Sequence, residues 1–489
     1  MNVLFATSEM FPLIKTGGLA DVSGALPLAL SQVGVDVRVV LPRYANIKTD
    51  LIESEIQIGQ KEILGQPVKI NLANLNTGHL VYLVDHPVFS ARQGNPYIGP
   101  DGNNWHDNPD RFGLFCRAVV ALSTGLFGDA WKPDIIHSND WQTGLIPALL
   151  SESSSPKNIF TIHNLAYQGV FDRPTFERLG LPWSLWRPDA LEYWGNMSFM
   201  KAGIVFSEFV TTVSKTYAQE IQSPEFGYGL DGLLHHKQDR LKGILNGIGE
   251  DWNPQTDPLL EKPFSTSDMT GKAIIKESIQ REFGLTIDGN IPLITHVGRL
   301  VEQKGIDLLI QAIETWGSAQ VQFVILGAGE HRFEHALRSL AEKNPDRIAV
   351  VIGYDEKLAH RLEAAGDAFI MPSRFEPCGL NQMYSLRYGA LPIVHRVGGL
   401  ADTVTHITPE SIKDGSASGI VIDHLDVSAI HWAIGYFMEI YKDRDLYRKI
   451  QQQGMQKDFG WITSAKEYKK IYSAALKEQT HDESSQHEH

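Results

Sequence analysis

Short apolar runs alternate with helical segments in two successive series along this chain of 489 residues. The first series contains NVLFA, DIIHS and NIFTI, and the second contains PLITHV, VQFVIL and DAFIM. Runs of this length suit strands that are buried on both faces, and their alternation with helices is typical of parallel sheets covered on both sides. The pattern therefore predicts an α/β chain with two similar sheet domains in tandem and a cleft between them.

The character of the chain changes near residue 246, where GILNGIGEDWNPQTDP is rich in turn residues. We therefore predict one Rossmann-like domain over 1–245 and a second over 246–460. Segment 68–85 has the pattern of a hairpin, and residues 86–110 are predicted to form a long loop. The polar residues 478–489 lack a periodic apolar face and are predicted to be a disordered tail.

The charge balance argues against a nucleic-acid binder, because 58 acidic residues outweigh 44 basic ones and give a net charge of −14. Two cysteines cannot build a disulfide framework. The N-terminus lacks the basic segment of a signal peptide, and no run of about 18 apolar residues suggests a membrane span. The composition predicts a cytoplasmic enzyme.

One stretch of the second series, residues 366–404, combines a carboxylate with glycine-rich turns. Glu376 precedes a predicted helix start at Gly379, and Gly398–Gly399 open another helix. A helix N-terminus presents unpaired N–H groups and a partial positive charge to a phosphate, and glycines permit close approach. This layout predicts an enzyme that handles a phosphorylated leaving group, although ordinary α/β packing also accounts for the glycines.

Two cations follow the strand PLITHV. Arg299 and Lys304 lie in the loop after it, where open α/β sheets place their ligands. A planar guanidinium and a compact ammonium suit a departing diphosphate, whereas solvated surface charges are the alternative. Tyr354, at another strand end, either stacks on a nucleotide base or is an ordinary edge aromatic.

The first domain carries KTGGL shortly after its first strand. Gly17 and Gly18 allow close approach to a sugar or phosphate, and Lys15 supplies a mobile charge. Asp21 either joins this site or is simply a favourable acidic residue in the first turn of the next helix.

Two further strand ends of the first domain carry polar side chains. Asp140 either accepts sugar hydroxyls or caps a helix, and Trp141 either stacks on a pyranose or belongs to the core. His163 is either a catalytic or a structural histidine. The sequence contains no HExxH motif and no DxD-type motif of the kind that binds the metal of a sugar nucleotide, so it predicts no metal site.

These motifs together resemble those of the bacterial glycogen synthases and the related plant starch synthases. KTGGLADVSGALPLAL, NDWQTGL, TIHNLAYQG, PEFGYGLDGLL, GRLVEQKG, EPCGLNQ and VGGLADTV occur in the family order and, with the ILNGI and WNPQTDP segments, cover about residues 1–475. The combination is far more specific than any single motif.

The resemblance implies a GT-B fold, with an acceptor-side first domain and a nucleotide-sugar-binding second domain. Such enzymes transfer glucose from ADP-glucose, a substrate, to the non-reducing 4-hydroxyl of an α-1,4-glucan with retention of configuration. It implies a glycogen or maltooligosaccharide acceptor, no metal, no cofactor, no nucleic acid and no membrane. The family's C-terminal helix, which crosses back to the first domain, corresponds to 461–477 here.

The resemblance also implies a set of site residues. Those expected to act in catalysis are Glu376, His163, Lys304 and Arg299. Those expected to bind the donor are Lys15, Gly17, Gly18, Asp21, Asp140, Asn246, Tyr354, Cys378, Gly379 and Leu380. Arg299 and Lys304 would hold the diphosphate, and Glu376 would contact the sugar hydroxyls.

The chemistry of the reaction agrees with this set. Breaking the anomeric C–O bond produces an oxocarbenium-like sugar and an anionic leaving group, which Arg299 and Lys304 can stabilise. Retention follows either from same-face attack, with the diphosphate taking the acceptor proton, or from covalent double displacement through Glu376. We expect same-face attack.

The chain departs from the common family pattern at three positions. Asn381 stands in place of threonine, Gly249 in place of aspartate and Asn139 in place of histidine. These departures bear on diphosphate contacts and hinge closure, not on the reaction class. Two alternatives stay open: a GT-B enzyme that uses UDP-glucose or a small acceptor, as in sucrose synthesis, and a non-catalytic glucan-binding protein.

Overall fold

The computed structural model describes residues 1–153, 156–317 and 320–485, which divide into two compact units. Unit 1 comprises Met1–Gly247 together with the chain from Trp461 onward, and unit 2 comprises Ile248–Gly460. The second domain was predicted to begin at 246, whereas unit 2 begins at Ile248.

Unit 1 is built on a mixed sheet flanked by helices. Its strands are β1 (Asn2–Ala6), β2 (Asp36–Pro42), β3 (Ile52–Ile63), β4 (Gln66–Leu75), β5 (Leu80–Asp85), β6 (Ile135–Asn139), β7 (Lys157–Ile162), β8 (Val170–Phe171), β9 (Glu192–Tyr193), β10 (Asn196–Ser198), β11 (Phe209–Thr212) and β12 (Leu241–Gly243). The main sheet has the order β12-β11-β7-β6-β1-β2-β5-β4-β3, and β8, β10 and β9 form a small separate sheet.

The first helices of unit 1 are α1 (Gly18–Gln32), α2 (Pro87–Ser90), α3 (Asn108–Ser123), α4 (Leu145–Leu149), α5 (Arg173–Arg178), α6 (Phe199–Phe206), α7 (Lys215–Glu220) and α8 (Asp231–His236). The hairpin predicted over 68–85 corresponds to the antiparallel pair β4–β5, while β3 pairs antiparallel with β4. The predicted loop 86–110 contains a helical turn, α2, because His86 Nδ1 accepts a hydrogen bond from Val88 N at 3.1 Å and proline opens the turn.

Unit 2 has a sheet in which all pairings among the described residues are parallel. Its strands are β13 (Leu293–Val297), β14 (Gln322–Gly327), β15 (Ile348–Ile352), β16 (Ala368–Met371), β17 (Leu391–His395) and β18 (Ile420–Ile422), in the order β15-β14-β13-β16-β17-β18. Its helices are α9 (Thr270–Glu282), α10 (Ile306–Trp316), α11 (His331–Lys343), α12 (Glu356–Ala365), α13 (Asn381–Arg387), α14 (Gly398–Thr403), α15 (Pro409–Asp414), α16 (Val427–Lys442) and α17 (Arg444–Met455).

A long C-terminal helix, α18 (Trp461–Ser485), returns to unit 1 and packs on α1. Tyr472 is fully buried, and its hydroxyl lies 2.7 Å from His137 Nδ1. The helix was predicted to end at 477, but it continues to Ser485, because the intervening residues include no glycine or proline to stop it. The rest of the predicted tail, 486–489, lies outside the described residues.

Candidate active site

The carboxyl ends of the parallel strands in unit 2 bring its predicted site residues to one edge of the sheet. β13 lies between β14 and β16, so the strand order reverses there, and open α/β sheets bind ligands at such a point. Arg299 and Lys304 follow β13, and Glu376 follows the neighbouring strand β16. The sheet topology therefore explains why residues more than 70 positions apart meet.

An ion pair joins Lys304 and Glu376 at this edge. Lys304 Nζ donates to Glu376 Oε2, and Ser373 Oγ donates to the same oxygen at 3.0 Å. The Glu376 side chain is 8% exposed and that of Lys304 is 17% exposed, so the pair is largely shielded from water. A carboxylate held in this way is a fixed hydrogen-bond acceptor beside a positive charge.

The loop that carries Lys304 is fastened to the loop that carries Glu376. Arg374 Nη1 and Nη2 donate to the Asp307 carboxylate at 2.7 Å each. The backbone N–H of Arg374 donates to Gln303 O at 2.8 Å. Arg299 lies on the same loop, where its Nη2 donates to Gln303 Oε1 at 3.2 Å. These contacts hold the two members of the ion pair at a fixed separation.

Gly398 and Gly399 pack against the backbone of residues 376–378. A Cβ at Gly398 would lie 1.9 Å from Glu376 O, and one at Gly399 would lie 2.0 Å from Cys378 O. Gly399 N also donates to Glu376 O at 3.1 Å. Only glycine fits at both positions. Backbone packing that braces the Glu376 loop therefore explains these two glycines, which the sequence pattern had associated with phosphate binding.

Gly379 and Leu380 lead into α13 rather than lying inside it. Gly379 has a φ of +70°, and the helix begins at Asn381 with Leu380 as the N-cap, two residues after the predicted start. α13 has seven residues and α14 has six, so their macrodipoles are small. The positive charge at this edge therefore lies mainly on the side chains of Lys304 and Arg299.

His296, at the end of β13, is a buried polar residue that the sequence reasoning missed. Its Nδ1 donates to Ile370 O at 2.8 Å, so Nε2 is the acceptor nitrogen. Nε2 is buried and has no hydrogen-bond partner among the described residues. Burial lowers the pKa of His296 to about 4, so the ring is neutral. Its strand-end position was the only signal in the sequence.

In unit 1 the KTGGL loop is held by a second residue that was missed, Glu9. Glu9 Oε2 accepts hydrogen bonds from Thr16 N at 2.5 Å and from Gly17 N at 3.2 Å. Burial raises the pKa of Glu9 to about 7, although the two backbone hydrogen bonds oppose this rise. Lys15 Nζ forms a 2.7 Å ion pair with Asp21 Oδ1, so Asp21 acts on this loop rather than only on the helix end. α1 itself begins at Gly18.

Asp140 and His163 meet at the ends of the neighbouring strands β6 and β7. Asp140 Oδ1 accepts from His163 N at 2.7 Å and from Asn164 N at 3.4 Å, and its side chain forms no helix-capping hydrogen bond. Asp140 does occupy the N-cap position of the helical turn Trp141–Thr143, where its backbone carbonyl accepts from Thr143 N at 3.1 Å, but its carboxylate is turned to the 163–164 backbone instead. Asp140 has a φ of +58°, which is uncommon for a residue other than glycine. Burial raises the pKa of its carboxyl to about 7.

Trp141 packs within an aromatic cluster. Its ring contacts Phe112, Phe171 and Phe199 at centroid distances of 5.3, 5.7 and 6.0 Å. Gly169 lies so close that a Cβ there would be 2.5 Å from the Trp141 ring. Most contacts of Trp141 therefore agree with its interpretation as a core residue.

Asn246 and Tyr354 occupy contrasting environments. Asn246 is buried, and its Oδ1 has no hydrogen-bond partner among the described residues. Tyr354 is 72% exposed and immediately precedes Asp355, the N-cap of α12. An orphaned buried acceptor and an exposed ring are both compatible with ligand contact.

Within the described side chains, no group of three or more His, Cys, Asp and Glu residues is placed to hold a metal ion. In that same part of the chain, no helix is long and apolar enough to cross a membrane.

Comparison with family models gives two matches. A starch synthase catalytic domain model matches residues 2–236, and a model of glycosyl transferases group 1 matches residues 278–457. The two matches together span most of both units.

Individual proteins are similar over nearly the whole chain. A protein named Glycogen synthase 1 from Methylococcus capsulatus is 47% identical over 478 residues, with 97% of each chain covered. A glycogen synthase from Cellvibrio japonicus is 48% identical over 476 residues, with 96% of this chain and 99% of that protein covered.

Two solved structures are similar in fold. The catalytic domain of Starch Synthase IV from Arabidopsis thaliana, bound to ADP and acarbose, has a TM-score of 0.89 and 33% identity, with 97% of this chain and 99% of that chain covered. A sucrose-phosphate synthase from Thermosynechococcus elongatus has a TM-score of 0.58 and 17% identity, with 97% of this chain and 98% of that chain covered, which shows a shared fold alone.

Proposed function

The chain belongs to the family of bacterial glycogen synthases and plant starch synthases, and on that premise we propose how its residues carry out the family's reaction. It is a glucosyltransferase with the GT-B fold. In our proposal the donor is ADP-glucose and the acceptor is the non-reducing 4-hydroxyl of glycogen or a maltooligosaccharide. The configuration at the anomeric carbon is retained, and no cofactor takes part.

The observation that carries the proposal is the braced Lys304–Glu376 ion pair at the switch point of the unit 2 sheet. A shielded ammonium beside a shielded carboxylate suits a ligand with an anionic part next to a polyhydroxylated part. Lys304 and Arg299 would hold the diphosphate, and Glu376 would accept hydrogen bonds from sugar hydroxyls. Cys378, Gly379 and Leu380 continue the same loop beside them.

Tyr354 and Asn246 complete the proposed donor contacts. The exposed ring of Tyr354 offers a stacking surface for adenine, while the orphaned Oδ1 of Asn246 offers an acceptor for a sugar hydroxyl. In our proposal, the adenine stacks on the Tyr354 ring, and a sugar hydroxyl donates a hydrogen bond to Asn246 Oδ1.

Unit 1 supplies the other proposed contacts to the donor and the glucosyl unit. Lys15, on the loop that Glu9 holds, is paired with Asp21 in the first turn of α1, and Gly17 lies in that loop. Asp140 and His163 are joined at the neighbouring strand ends. The raised pKa of Asp140 makes its carboxyl a group that loses and gains a proton near neutral pH, whereas His163 stays neutral.

In the proposed chemical step, the bond between the anomeric carbon and the β-phosphate oxygen breaks as the acceptor O4 bonds to the same face. The departing phosphate oxygen takes the proton from O4, so atoms and charge balance without an external base. Lys304 and Arg299 stabilise the developing negative charge; removing one such donor costs roughly 10²–10³ in rate. Glu376, engaged by Lys304 and Ser373, would position the sugar rather than attack it.

One assay tests the function directly. ADP-glucose or UDP-glucose is supplied with glycogen, maltooligosaccharide or fructose, and nucleotide release and chain growth are both followed. We expect chain growth with ADP-glucose and a glucan, and an unchanged rate after dialysis against EDTA. Faster transfer from UDP-glucose would overturn the donor assignment, transfer to fructose would overturn the acceptor assignment, and no transfer with any pair would favour a glucan-binding protein.

The stereochemical mechanism has its own test. The enzyme is quenched during turnover and Glu376 is examined by peptide mass spectrometry. We expect an unmodified side chain, and a glucosylated Glu376 would replace same-face attack by double displacement.

A further inference from the structure

Asn139 is 1% exposed at the end of β6, and its side-chain amide has a fixed orientation. Nδ2 donates to Ala6 O at 3.0 Å and to His137 O at 3.2 Å. Both partners are carbonyl oxygens that can only accept, so the flipped amide would bring oxygen against oxygen. Oδ1 therefore lies on the other side, where it is 2.9 Å from His163 Nε2.

This orientation determines where the His163 ring carries its proton. An amide oxygen cannot donate, so the proton of the contact belongs to His163 Nε2, and Nδ1 keeps its lone pair. Burial lowers the pKa of His163 to about 3, which keeps the ring neutral at physiological pH.

We propose that Asn139 is a positioning residue that fixes His163 as the neutral Nε2–H tautomer, so that His163 Nδ1 accepts a hydrogen bond from a substrate hydroxyl. His163 then orients the substrate and transfers no proton itself. The tautomer follows from unit 1 alone, whereas the substrate contact rests on the proposed function.

The titratable groups around His163 in unit 1 agree with a neutral ring. Asp140, directly after β6, directs Oδ1 to the backbone N–H of His163 and not to the ring. His137, on β6, is buried, and burial lowers its pKa to about 3. Tyr217, on α7, accepts from Leu165 N at 3.1 Å, and burial raises the pKa of its hydroxyl. Among these groups, none would stabilise an imidazolium through a direct hydrogen bond.

Aspartate could not perform the same task, although it has the same shape as asparagine. It would leave Ala6 O and His137 O without their N–H donor, and its charge would favour a protonated His163. Asparagine combines two donors for the carbonyls with a neutral acceptor for the ring.

The first experiment reads the tautomer in the wild-type protein without any substrate. The histidine ring nitrogens are labelled with ¹⁵N, and the His163 signals are assigned by difference from His163→Gln. We expect one protonated nitrogen, Nε2, and one unprotonated nitrogen, Nδ1, from pH 5.5 to 8. A protonated Nδ1, or a doubly protonated ring at pH 7, would overturn the proposal.

The second experiment compares the pH profile of kcat/KM for Asn139→Asp and Asn139→Leu, with Asn158→Leu as the matched control. Asn158 is a buried amide on the adjacent strand β7, bonded to Pro156 O and not to His163. We expect Asn139→Asp to shift the acidic side of the kcat/KM profile to higher pH by about one unit or more, because the new charge favours a protonated His163 ring. We expect Asn139→Leu to lower kcat about tenfold and to leave both neutral tautomers of His163 populated, because the hydrogen bond to Nε2 is lost.

The outcomes separate the two levels of the proposal. Wild-type profiles and spectra in both Asn139 variants, or equal changes in Asn158→Leu, would refute the positioning role. If the wild-type protein transferred no glucosyl unit, the proposed function would be refuted, and the tautomer assignment would still hold.

Discussion

Replacing Glu376 by glutamine tests the ion pair at the centre of the proposed site. The substitution keeps the shape of the side chain and removes its charge beside Lys304 Nζ. Removing one partner of a buried pair costs about 3–5 kcal/mol, but Lys304 is 17% exposed and regains some water, so we expect a loss of about 1–2 kcal/mol in stability. The lost contact to the reacting sugar should lower kcat by roughly 10²–10³.

These two effects differ enough in size to be separated. A protein with about 5 kcal/mol of stability that loses about 2 kcal/mol is still about 99% folded at 25 °C. Unfolding therefore cannot account for a hundredfold loss of turnover. The measurements are the initial rate of glucosyl transfer from ADP-glucose and a urea unfolding curve of the same preparation.

Asp367→Asn is the matched control for Glu376→Gln. Lys276 Nζ and Asp367 Oδ2 form a 2.7 Å ion pair in unit 2, with side-chain exposures of 6% and 10%. We expect this variant to lose more stability than Glu376→Gln while keeping its kcat at a temperature where it is folded. Near-normal turnover in Glu376→Gln, or an equal loss of turnover in Asp367→Asn, would refute the reasoning.

Three further predictions concern single residues. Lys304→Gln should lower kcat at least tenfold, because the leaving group loses a positive charge, and unchanged kinetics would make Lys304 a surface charge. Tyr354→Ala should raise the KM for ADP-glucose about two- to tenfold with little change in kcat, as expected for a lost stacking contact; an unaltered KM would remove Tyr354 from the site. Glu9 has a raised pKa in the folded protein, so the folded state binds more protons than the unfolded state between about pH 4.5 and 7, and stability falls as pH rises through that window. In urea titrations Glu9→Gln should therefore lose about 2 kcal/mol less unfolding free energy from pH 5 to 7 than wild type, and identical losses would contradict the raised pKa.

Several site residues could be predicted from the sequence because their signals are local. Arg299, Lys304 and Glu376 each follow an apolar run of strand length, and the carboxyl end of a parallel strand is where a ligand-binding side chain belongs. The expectation for the other site residues came from the order of the family's motifs along the chain. The assignment of a role to each residue stays a prediction until kinetics test it.

Other residues could not be found this way, because their role depends on contacts between distant segments. Glu9 reaches the backbone of Thr16. His296 Nε2 lacks a hydrogen-bond partner among the described residues because other segments of unit 2 pack around the ring. Trp141 and Gly398 were open to two interpretations, and their neighbours decided between them. Periodicity and spacing do not report which atoms become neighbours.

By itself, the sequence determined the two α/β domains and the family, because strand and helix periodicities are local and the motif set is specific. Only the tertiary structure decided how the polar groups are paired. It joined Lys304 to Glu376, assigned Gly398 to backbone packing, and fixed the Asn139 amide against two carbonyls. The physical reason is that a buried polar group must find its partner in space, and that partner comes from whichever strand the sheet places beside it.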